Sequence, residues 1–437
     1  MSNQQKMNGS IIAIITMFFL YAMIAFVTNL GAPIGVIWKN QPGIDGNNML
    51  GMMGNFMNFF AYLFMGIPAG KMLTKVGYKK SALIGIAVGF VGVLIQYVSS
   101  FPEGIPGFCV YLLGAFISGF SVCILNTVVN PMLNLLGGGG NRGNQLNLIG
   151  GTLNSLTGTL TPMLVGALIG EVTKSTQMAD VNLVLYIAMA VFALAFIALL
   201  FIPIQDPELG KVTADTKFEH SPWSFRHCTL GVIAIFFYVG VEVGIPGALN
   251  FYLSDSTEKG AGLLANAATI GGAVAAMYWL LMLCGRLVSG FIAGKISSRQ
   301  LMLGTTSVAM ILILAAMFLP KTITVTMPLF SIMTCSFTSA VVPISALLLV
   351  LCGLCTSIMW ASIFNLATEG LGKYTAQASG IFMMMVVGGG VLPLIQGWFS
   401  NFMGYMPSYF VYFLAVAYMF YYALIGCKNV NKDIPVE

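Results

Sequence analysis

Glu242 is the residue whose type and position point most clearly to chemistry in this chain. It lies inside an apolar stretch that runs from Val232 to Leu253. An ionisable residue in such a stretch costs about 2.5 to 3.5 kcal/mol on membrane-insertion scales, so it normally faces a cavity or a partner. Two interpretations stay open. Either Glu242 binds substrate hydroxyls or exchanges a proton, or it pairs with a polar group on a neighbouring helix.

Arg286 is the other charged residue inside an apolar stretch, shortly before Lys295. A long basic side chain at that depth can reach the membrane surface or clamp the end of a pathway. We therefore assign Arg286 a gate or packing role in preference to substrate contact. Lys71, Lys79 and Lys80 follow the second apolar stretch, and we give them the same gate or structural role.

Amide side chains recur in and at the ends of the apolar stretches. An amide offers both hydrogen-bond donors and acceptors, which suits a ligand made of hydroxyl groups. A structural hydrogen bond between helices is the alternative for each amide, and it is favoured for Asn130, which precedes Pro131. The predicted substrate-binding residues are Asn29, Asn126, Asn154, Glu242, Asn250, Asn365 and Gln396.

Other kinds of site find little support. His220 and His227 are the only histidines, and Cys352 and Cys355 form the only cysteine pair at metal-like spacing, so we expect no metal and no cofactor. The apolar stretches hold no paired carboxylates and no Ser/His arrangement, which argues against an enzyme. Peptide and anionic substrates call for basic residues, and only Arg286 is available.

The composition indicates that membrane-spanning helices position these residues. Hydrophobic residues make up 58% of the 437 residues and charged residues 8%, against roughly 25% charged in soluble domains. A membrane span needs about 20 mostly apolar residues. Twelve such stretches begin near positions 11, 49, 80, 107, 145, 181, 228, 262, 300, 340, 376 and 407. We therefore predict an all-α membrane protein with twelve spans and no room for a soluble domain.

The positions of the basic residues predict the orientation. If the N-terminus is cytoplasmic, most of the 19 lysines and arginines fall on the cytoplasmic side, as the positive-inside rule requires. The exceptions are Lys39, Lys174, Lys259, Lys321 and the intramembrane Arg286. The net charge of +5 thus reports topology and not a nucleic-acid partner. We expect a monomer in the lipids of a bacterial inner membrane, with both termini cytoplasmic.

Internal repeats predict two related halves. The run Gly66 to Lys71 recurs as Gly290 to Lys295, each time after the second stretch of its half. The pairs Asn29 with Pro33 and Pro162 with Gly166 likewise have counterparts in Glu242 with Pro246 and Pro393 with Gly397. Repeats of this kind are typical of transporters. The predicted parts are a six-helix half at 1–205, a cytoplasmic linker at 206–226 and a second six-helix half at 227–437.

Eight motifs carry a resemblance to a known family. They are Phe18 to Ala22, Pro68 to Lys80, Leu125 to Pro131, Leu153 to Ser155, Tyr238 to Glu242, Gly285 with Arg286, Ser362 to Leu366 and Gly388 to Gly390. With these motifs the chain resembles the major facilitator superfamily and, within it, the fucose/glucose-galactose:proton symporter family. The resemblance implies the major facilitator fold, in two pseudo-symmetric halves, and proton-coupled sugar transport.

Two departures from that family concern the proton. Its proton-coupled, fucose-transporting members carry an aspartate and a glutamate where this chain has Asn29 and Asn126. An asparagine can bind a hydroxyl group, but it cannot take up and release a proton near neutral pH. Glu242 has counterparts in the glucose/galactose branch and is then the coupling candidate.

The expected function is import of a monosaccharide, which would be a hexose, deoxyhexose or amino sugar, by alternating access. A proton or sodium ion is the expected coupling ion. The alternatives are a sugar uniporter, a sodium-coupled carrier or a carrier of another small solute. The Ser/Thr/Met-rich segment from Lys321 to Val341 predicts an extra helical hairpin or a lid, and the residues do not decide between them.

Overall fold

The structure is a computed structural model. It describes residues 3–136, 140–169, 175–202, 220–263, 265–292, 296–331, 336–371, 374–431 and 433–435. Of the predicted linker, only residues 220–226 are among them. Lys295 of the repeated motif lies outside the described residues.

Helices account for nearly all of the described chain. Their bounds are Asn3–Asn29, Gly31–Lys39, Asn48–Val98, Gly104–Leu136, Gly140–Ile169, Asn182–Phe201, Arg226–Ser254, Ala267–Ile292, Ser298–Phe318, Ile344–Thr356, Met359–Thr368, Thr375–Met385, Gly388–Met403, Tyr405–Ser408 and Phe410–Tyr421. Two short 3-10 helices, Met178–Val181 and Pro222–Ser224, and one π-helix, Tyr422–Gly426, complete the helical set.

Twelve of these helical segments are long and apolar enough to cross a membrane. We number them spans 1 to 12 in the order Ile11–Lys39, Asn48–Leu73, Lys75–Val98, Gly104–Asn130, Ile149–Ile169, Met178–Phe201, Arg226–Ser254, Ala267–Ser289, Ser298–Phe318, Ile344–Thr368, Gly380–Met403 and Tyr405–Gly426. The predicted number of spans is confirmed, and their starts agree to within a few residues.

Helix breaks separate and bend the spans at residues that suit them. Gly77, near the start of span 3, breaks the long helix Asn48–Val98 with a φ of 83°, a left-handed backbone conformation that costs glycine little. Within span 1 the helix is interrupted between Asn29 and Gly31. The Asn29 amide donates to the carbonyl of Ala25 at 2.8 Å, so the side chain at the break bonds back to the preceding turn.

The segment after span 9 is a β-hairpin. Strand β1, Thr324–Ser331, pairs antiparallel with β2, Ser336–Pro343. The expectation of a helical hairpin was therefore wrong. Strand β1 begins with three β-branched residues, Thr-Val-Thr, and such residues suit a strand. Met327 and Leu329 are buried, because the alternate side chains of β1 turn one face towards spans 8 and 10.

Close crossings join the first six spans to the last six. Span 5 crosses span 8 where a Cβ on Gly272 would lie 2.4 Å from the Pro162 carbonyl oxygen. Span 2 crosses span 11 where a Cβ on Gly397 would lie 3.0 Å from the Asn48 carbonyl oxygen. Gly166 and Gly397, which the repeat pattern matched, both lie at these crossings. Small residues let the backbones approach, so the two sets of spans pack directly against each other.

Candidate functional site

A narrow cavity lies between the two sets of spans. Its walls are Thr28, Asn29, Ala32, Pro33, Asn55, Pro162, Val243, Pro246, Gly247, Asn250, Ala275 and Trp279. The space open to a water molecule is about 20 Å³, which is room for about one water. Of the predicted binding residues, Asn29 of span 1 and Asn250 of span 7 meet here. The cavity is therefore shared by both sets of spans and is small.

The cavity combines amides with one large aromatic ring. A Cβ on Gly158 would lie 3.3 Å from both the Asn29 amide nitrogen and the Trp279 ring, so these two side chains flank the same point on span 5. On the far wall the Ser254 hydroxyl donates to the Asn250 side-chain oxygen at 3.1 Å. An aromatic face beside several amides suits a neutral ligand rich in hydroxyl groups.

Glu242 forms an ion pair with Arg286 next to this cavity. Arg286 Nη2 lies 3.2 Å from Glu242 Oε1, and the Tyr238 hydroxyl donates to the same oxygen at 2.8 Å. The side chains of Glu242 and Arg286 keep 15% and 24% of their exposure. The structure thus places the carboxylate between two donors and leaves it partly open to solvent.

Two of the other predicted residues bond within the first six spans. The Asn126 amide donates to the Tyr62 hydroxyl at 2.7 Å, and the Asn154 amide donates to the Tyr21 carbonyl at 3.2 Å. Asn130, whose structural role was favoured, donates to the Asn126 carbonyl at 3.0 Å. These bonds join span 4 to span 2 and span 5 to span 1, and the Asn130 bond lies within span 4.

The remaining predicted residues lie apart from the cavity. Gln396 is buried and donates to the Ser408 hydroxyl at 2.7 Å, joining spans 11 and 12. Asn365 is exposed on span 10. Lys71 and Lys80 are exposed at the end of the bundle where span 7 begins, and Lys79 donates to the Leu200 carbonyl at 2.9 Å. The structure does not bring these five residues to the cavity walls.

Sequence reasoning missed a second polar centre, because it counted Lys39 only as a basic residue outside the membrane. Lys39 Nζ lies 3.1 Å from Asp255 Oδ2, and the two side chains keep 4% and 11% of their exposure. The ammonium also lies 2.6 Å from the Tyr405 hydroxyl and 5.5 Å from the centre of the Phe251 ring. Lys39 belongs to the first six spans and these three partners to the last six, while Asn48 of span 2 also accepts a hydrogen bond from Lys39 at 3.1 Å.

Polar bonds between spans 2 and 11 continue this centre. The Asn48 backbone N–H donates to Asn401 Oδ1 at 2.8 Å, and the Asn48 amide donates to the Ser400 hydroxyl at 2.9 Å. The Asn401 amide donates to Asn47 Oδ1 at 2.9 Å. We call the end of the bundle that holds Lys39 and Asp255 the Lys39 end, and the opposite end, where span 7 begins, the Arg226 end. Polar bonds seal the Lys39 end.

The pKa of Asp255 predicts how the stability of this seal depends on pH. Burial raises the pKa of Asp255, but the Lys39 ammonium and hydrogen bonds from Thr257 and Tyr405 outweigh burial and lower it from 3.8 to about 2. The ionised carboxylate therefore stabilises the seal fully above about pH 3.8, and this contribution is lost as the pH falls towards about 2.

We accordingly expect hydrogen exchange of residues 36–52, corrected for intrinsic rates, to stay constant from about pH 7 down to about pH 4 and to rise below that. In Asp255→Asn this rise should be absent, because no carboxylate remains to be protonated. Loosening of the wild-type seal near neutral pH would contradict the assignment.

Gly272→Val should separate spans 5 and 8 at their crossing. The first added carbon would already overlap the Pro162 carbonyl oxygen, and overpacking of this kind costs about 1 to 3 kcal/mol. Exchange of residues 36–52 should rise about 5- to 150-fold if that cost falls on the sealed conformation. Gly304→Val is the matched control, since a Cβ on Gly304 meets nothing within 4 Å. Equal exchange in both variants would refute the prediction.

A metal centre finds no support in the described residues. No group of three or more His, Cys, Asp or Glu side chains there is placed to hold a metal ion.

This chain is similar to a known protein family and to known transporters. A family model described as Major Facilitator Superfamily matches residues 7–392. A glucose/galactose transporter of Brucella abortus biovar 1 (strain 9-941) is 28% identical over 433 residues, covering 98% of this chain and 96% of the relative. The L-fucose-proton symporter of Escherichia coli (strain K12) is 23% identical over 378 residues, covering 80% and 78%. The crystal structure of the transporter FucP in the outward conformation matches with a TM-score of 0.64 at 19% identity, covering 95% of this chain and 99% of that one.

Proposed function

Because the chain belongs to the Major Facilitator Superfamily, we propose that it is a secondary active transporter that imports a monosaccharide by alternating access. The observation that carries this proposal is the small, amide-lined cavity between the two sets of spans. In this proposal the halves 1–205 and 227–437 rock about the cavity, and the linker 206–226 joins them in the cytoplasm.

The substrate class follows from the chemistry of the cavity and the names of the relatives. Asn29, Asn55 and Asn250 supply amides, and Trp279 supplies a ring face on which a sugar can lie. Since Glu242 neutralises Arg286, no unpaired cation favours an anionic substrate beside the cavity. Relatives named as glucose/galactose transporters support a neutral hexose within the wider set of deoxyhexoses and amino sugars.

The orientation follows from the charges. We place the Lys39 end outside and the Arg226 end in the cytoplasm of a bacterial inner membrane, with both termini cytoplasmic and the chain a monomer in the lipids. The positive-inside rule supports this placement. The structure then corresponds to a carrier sealed towards the outside by Lys39 and Asp255.

A proton is the proposed coupling ion, with Glu242 as its acceptor. Asn29 and Asn126 cannot exchange a proton, whereas the Glu242 carboxylate is partly open to solvent and lies beside the cavity. Uniport and sodium coupling are the alternatives that follow if Glu242 proves dispensable.

Thermal unfolding of the purified protein with a panel of monosaccharides tests the substrate class. A ligand at about 100 times its Kd stabilises the folded state by about 2.7 kcal/mol, so a true substrate should raise the unfolding temperature measurably. D-glucose and D-galactose should do so, and L-glucose is the matched control. Uptake of the radiolabelled hits into membrane vesicles then shows transport. The absence of any shift or uptake with neutral, deoxy and amino sugars would refute the proposal.

A further inference from the structure

Arg286 is bonded to both sets of spans at once. Its Nη1 donates to the Ser155 hydroxyl at 2.9 Å and to the Gly151 carbonyl at 3.3 Å, both on span 5. Its Nη2 donates to Glu242 Oε1 at 3.2 Å on span 7. The guanidinium of span 8 therefore connects the first six spans to the carboxylate of the last six.

This bridge and the Lys39 seal are made by residues from opposite ends of the spans. Arg286 lies near the end of span 8 and Gly151 and Ser155 near the start of span 5, both at the Arg226 end. The Lys39 contacts lie where span 1 ends and span 7 ends. The Arg286 bonds therefore tie spans 5 and 8 together near the Arg226 end.

We propose that Arg286 is the positioning residue of an inner gate, and that the gate stays closed only while Glu242 is ionised. This inference rests on the proposed function and adds how the coupling proton would act. The carboxylate fixes the guanidinium where its other nitrogen reaches span 5. When a proton binds a Glu242 oxygen, the ion pair is lost and the half-buried guanidinium has no counter-ion, so the bridge to span 5 loosens.

The order of events suits import with a proton. A carrier loaded from outside with sugar and proton has a neutral Glu242, and its inner gate is weakened. Opening lets the sugar leave and the proton pass from Glu242 to the cytoplasm. The ionised carboxylate then recaptures Arg286, and the empty carrier can return with its inner side closed.

The ionisable groups whose charges interact with this ion pair are three tyrosines. Tyr238 of span 7 and Tyr278 of span 8 interact with its charge, and Tyr21 of span 1 interacts with that of Arg286. All three are phenols, whose ordinary pKa is about 10, so Glu242 is the one carboxylate among these groups.

Hydrogen exchange of the sugar-free protein in lipid nanodiscs tests the gate. Residues 149–160 and 280–292 report the inner side, and residues 36–52 report the Lys39 end. In the wild type, exchange of the inner segments, corrected for intrinsic rates, should rise about tenfold between about pH 9 and about pH 5, in the range of allosteric couplings. Glu242→Gln and Arg286→Gln should each raise it at every pH and remove its pH dependence. Their double variant should add little.

Matched variants separate the gate from a merely structural role. Ser155→Ala keeps the ion pair and removes one bond to span 5, so exchange should rise less and keep its pH dependence. Arg286→Lys keeps the positive charge but cannot bond through two nitrogens, so its exchange should lie between that of the wild type and that of Arg286→Gln. Lys321→Met changes an exposed lysine and should behave as the wild type. Unfolding curves and gel filtration show that each variant is folded.

The inference is overturned if wild-type inner exchange does not depend on pH, or if Glu242→Gln opens the inner side and Arg286→Gln leaves it closed. The wild-type titration needs no variant, so this outcome is readable even if a variant does not fold. Because no sugar is present, a failed sugar screen with an intact pH-dependent gate would refute the substrate class and leave the gate standing.

Discussion

Lys39→Met should reduce sugar uptake about 100-fold or more. Removing one partner of a buried ion pair costs about 3 to 5 kcal/mol, and here the cost falls on the sealed conformation, because opening lets water reach Asp255. Each 1.4 kcal/mol shifts the equilibrium about tenfold towards the carrier that is open at the Lys39 end. Initial rates of radiolabelled sugar uptake into vesicles, at equal amounts of folded protein, measure the effect.

The second partner provides the decisive control for Lys39. Asp255→Asn in the Lys39→Met background removes the unpaired carboxylate, so uptake should recover in part. Lys321→Met matches the substitution at an exposed lysine of the same end, which donates to the Glu258 carbonyl at 2.8 Å, and should transport normally. If Lys39→Met transports at the wild-type rate, the ion pair does not contribute to closure.

Glu242→Gln should abolish accumulation of sugar and leave exchange intact. One proton moving down 100 mV supplies about 2.3 kcal/mol, enough for about 50-fold accumulation at 1.36 kcal/mol per decade. Without a titratable group that ratio should fall to about one. Counterflow of labelled against unlabelled sugar needs no coupling ion, so it should continue.

Proton movement is measured directly by the pH outside lightly buffered cells. Adding sugar should alkalinise the medium with the wild type and not with Glu242→Gln. Glu258→Gln is the matched control, since Glu258 is exposed in the loop after span 7. Accumulation that survives Glu242→Gln would favour a uniporter or, if it requires sodium, a sodium-coupled carrier.

Local properties of the chain account for what could be predicted. A stretch of about 20 apolar residues is membrane-spanning wherever it occurs, so the number of spans and their starts needed no knowledge of packing. Residue types alone show that Asn29 and Asn126 cannot carry protons. The two repeated glycines, Gly166 and Gly397, were visible as a pattern, and their role at the crossings follows from the need for close backbones.

Contacts between distant segments account for what could not be predicted. Lys39 and Asp255 are 216 residues apart, and nothing near either one shows that they meet. One signal was available in the sequence: Lys39 follows the first apolar stretch, and Asp255 follows the seventh, which is its counterpart in the second half. For the segment after span 9 the sequence left a helical hairpin and a lid open and did not predict strands, because the strands obtain their hydrogen bonds from each other and their burial from spans 8 and 10.

The sequence by itself determined that this protein spans the membrane twelve times. It also made Glu242 a candidate for proton exchange and Arg286 a candidate clamp at one end. Only the tertiary structure decided that these two residues pair, that Arg286 also reaches Ser155, and that Lys39 seals the opposite end. The physical reason is that hydrophobic burial in lipid is summed along the chain, whereas an ion pair depends on where separate helices cross. Glu242 is thus one candidate among several polar residues in the sequence, and in the folded chain it lies where a proton could reach a gate.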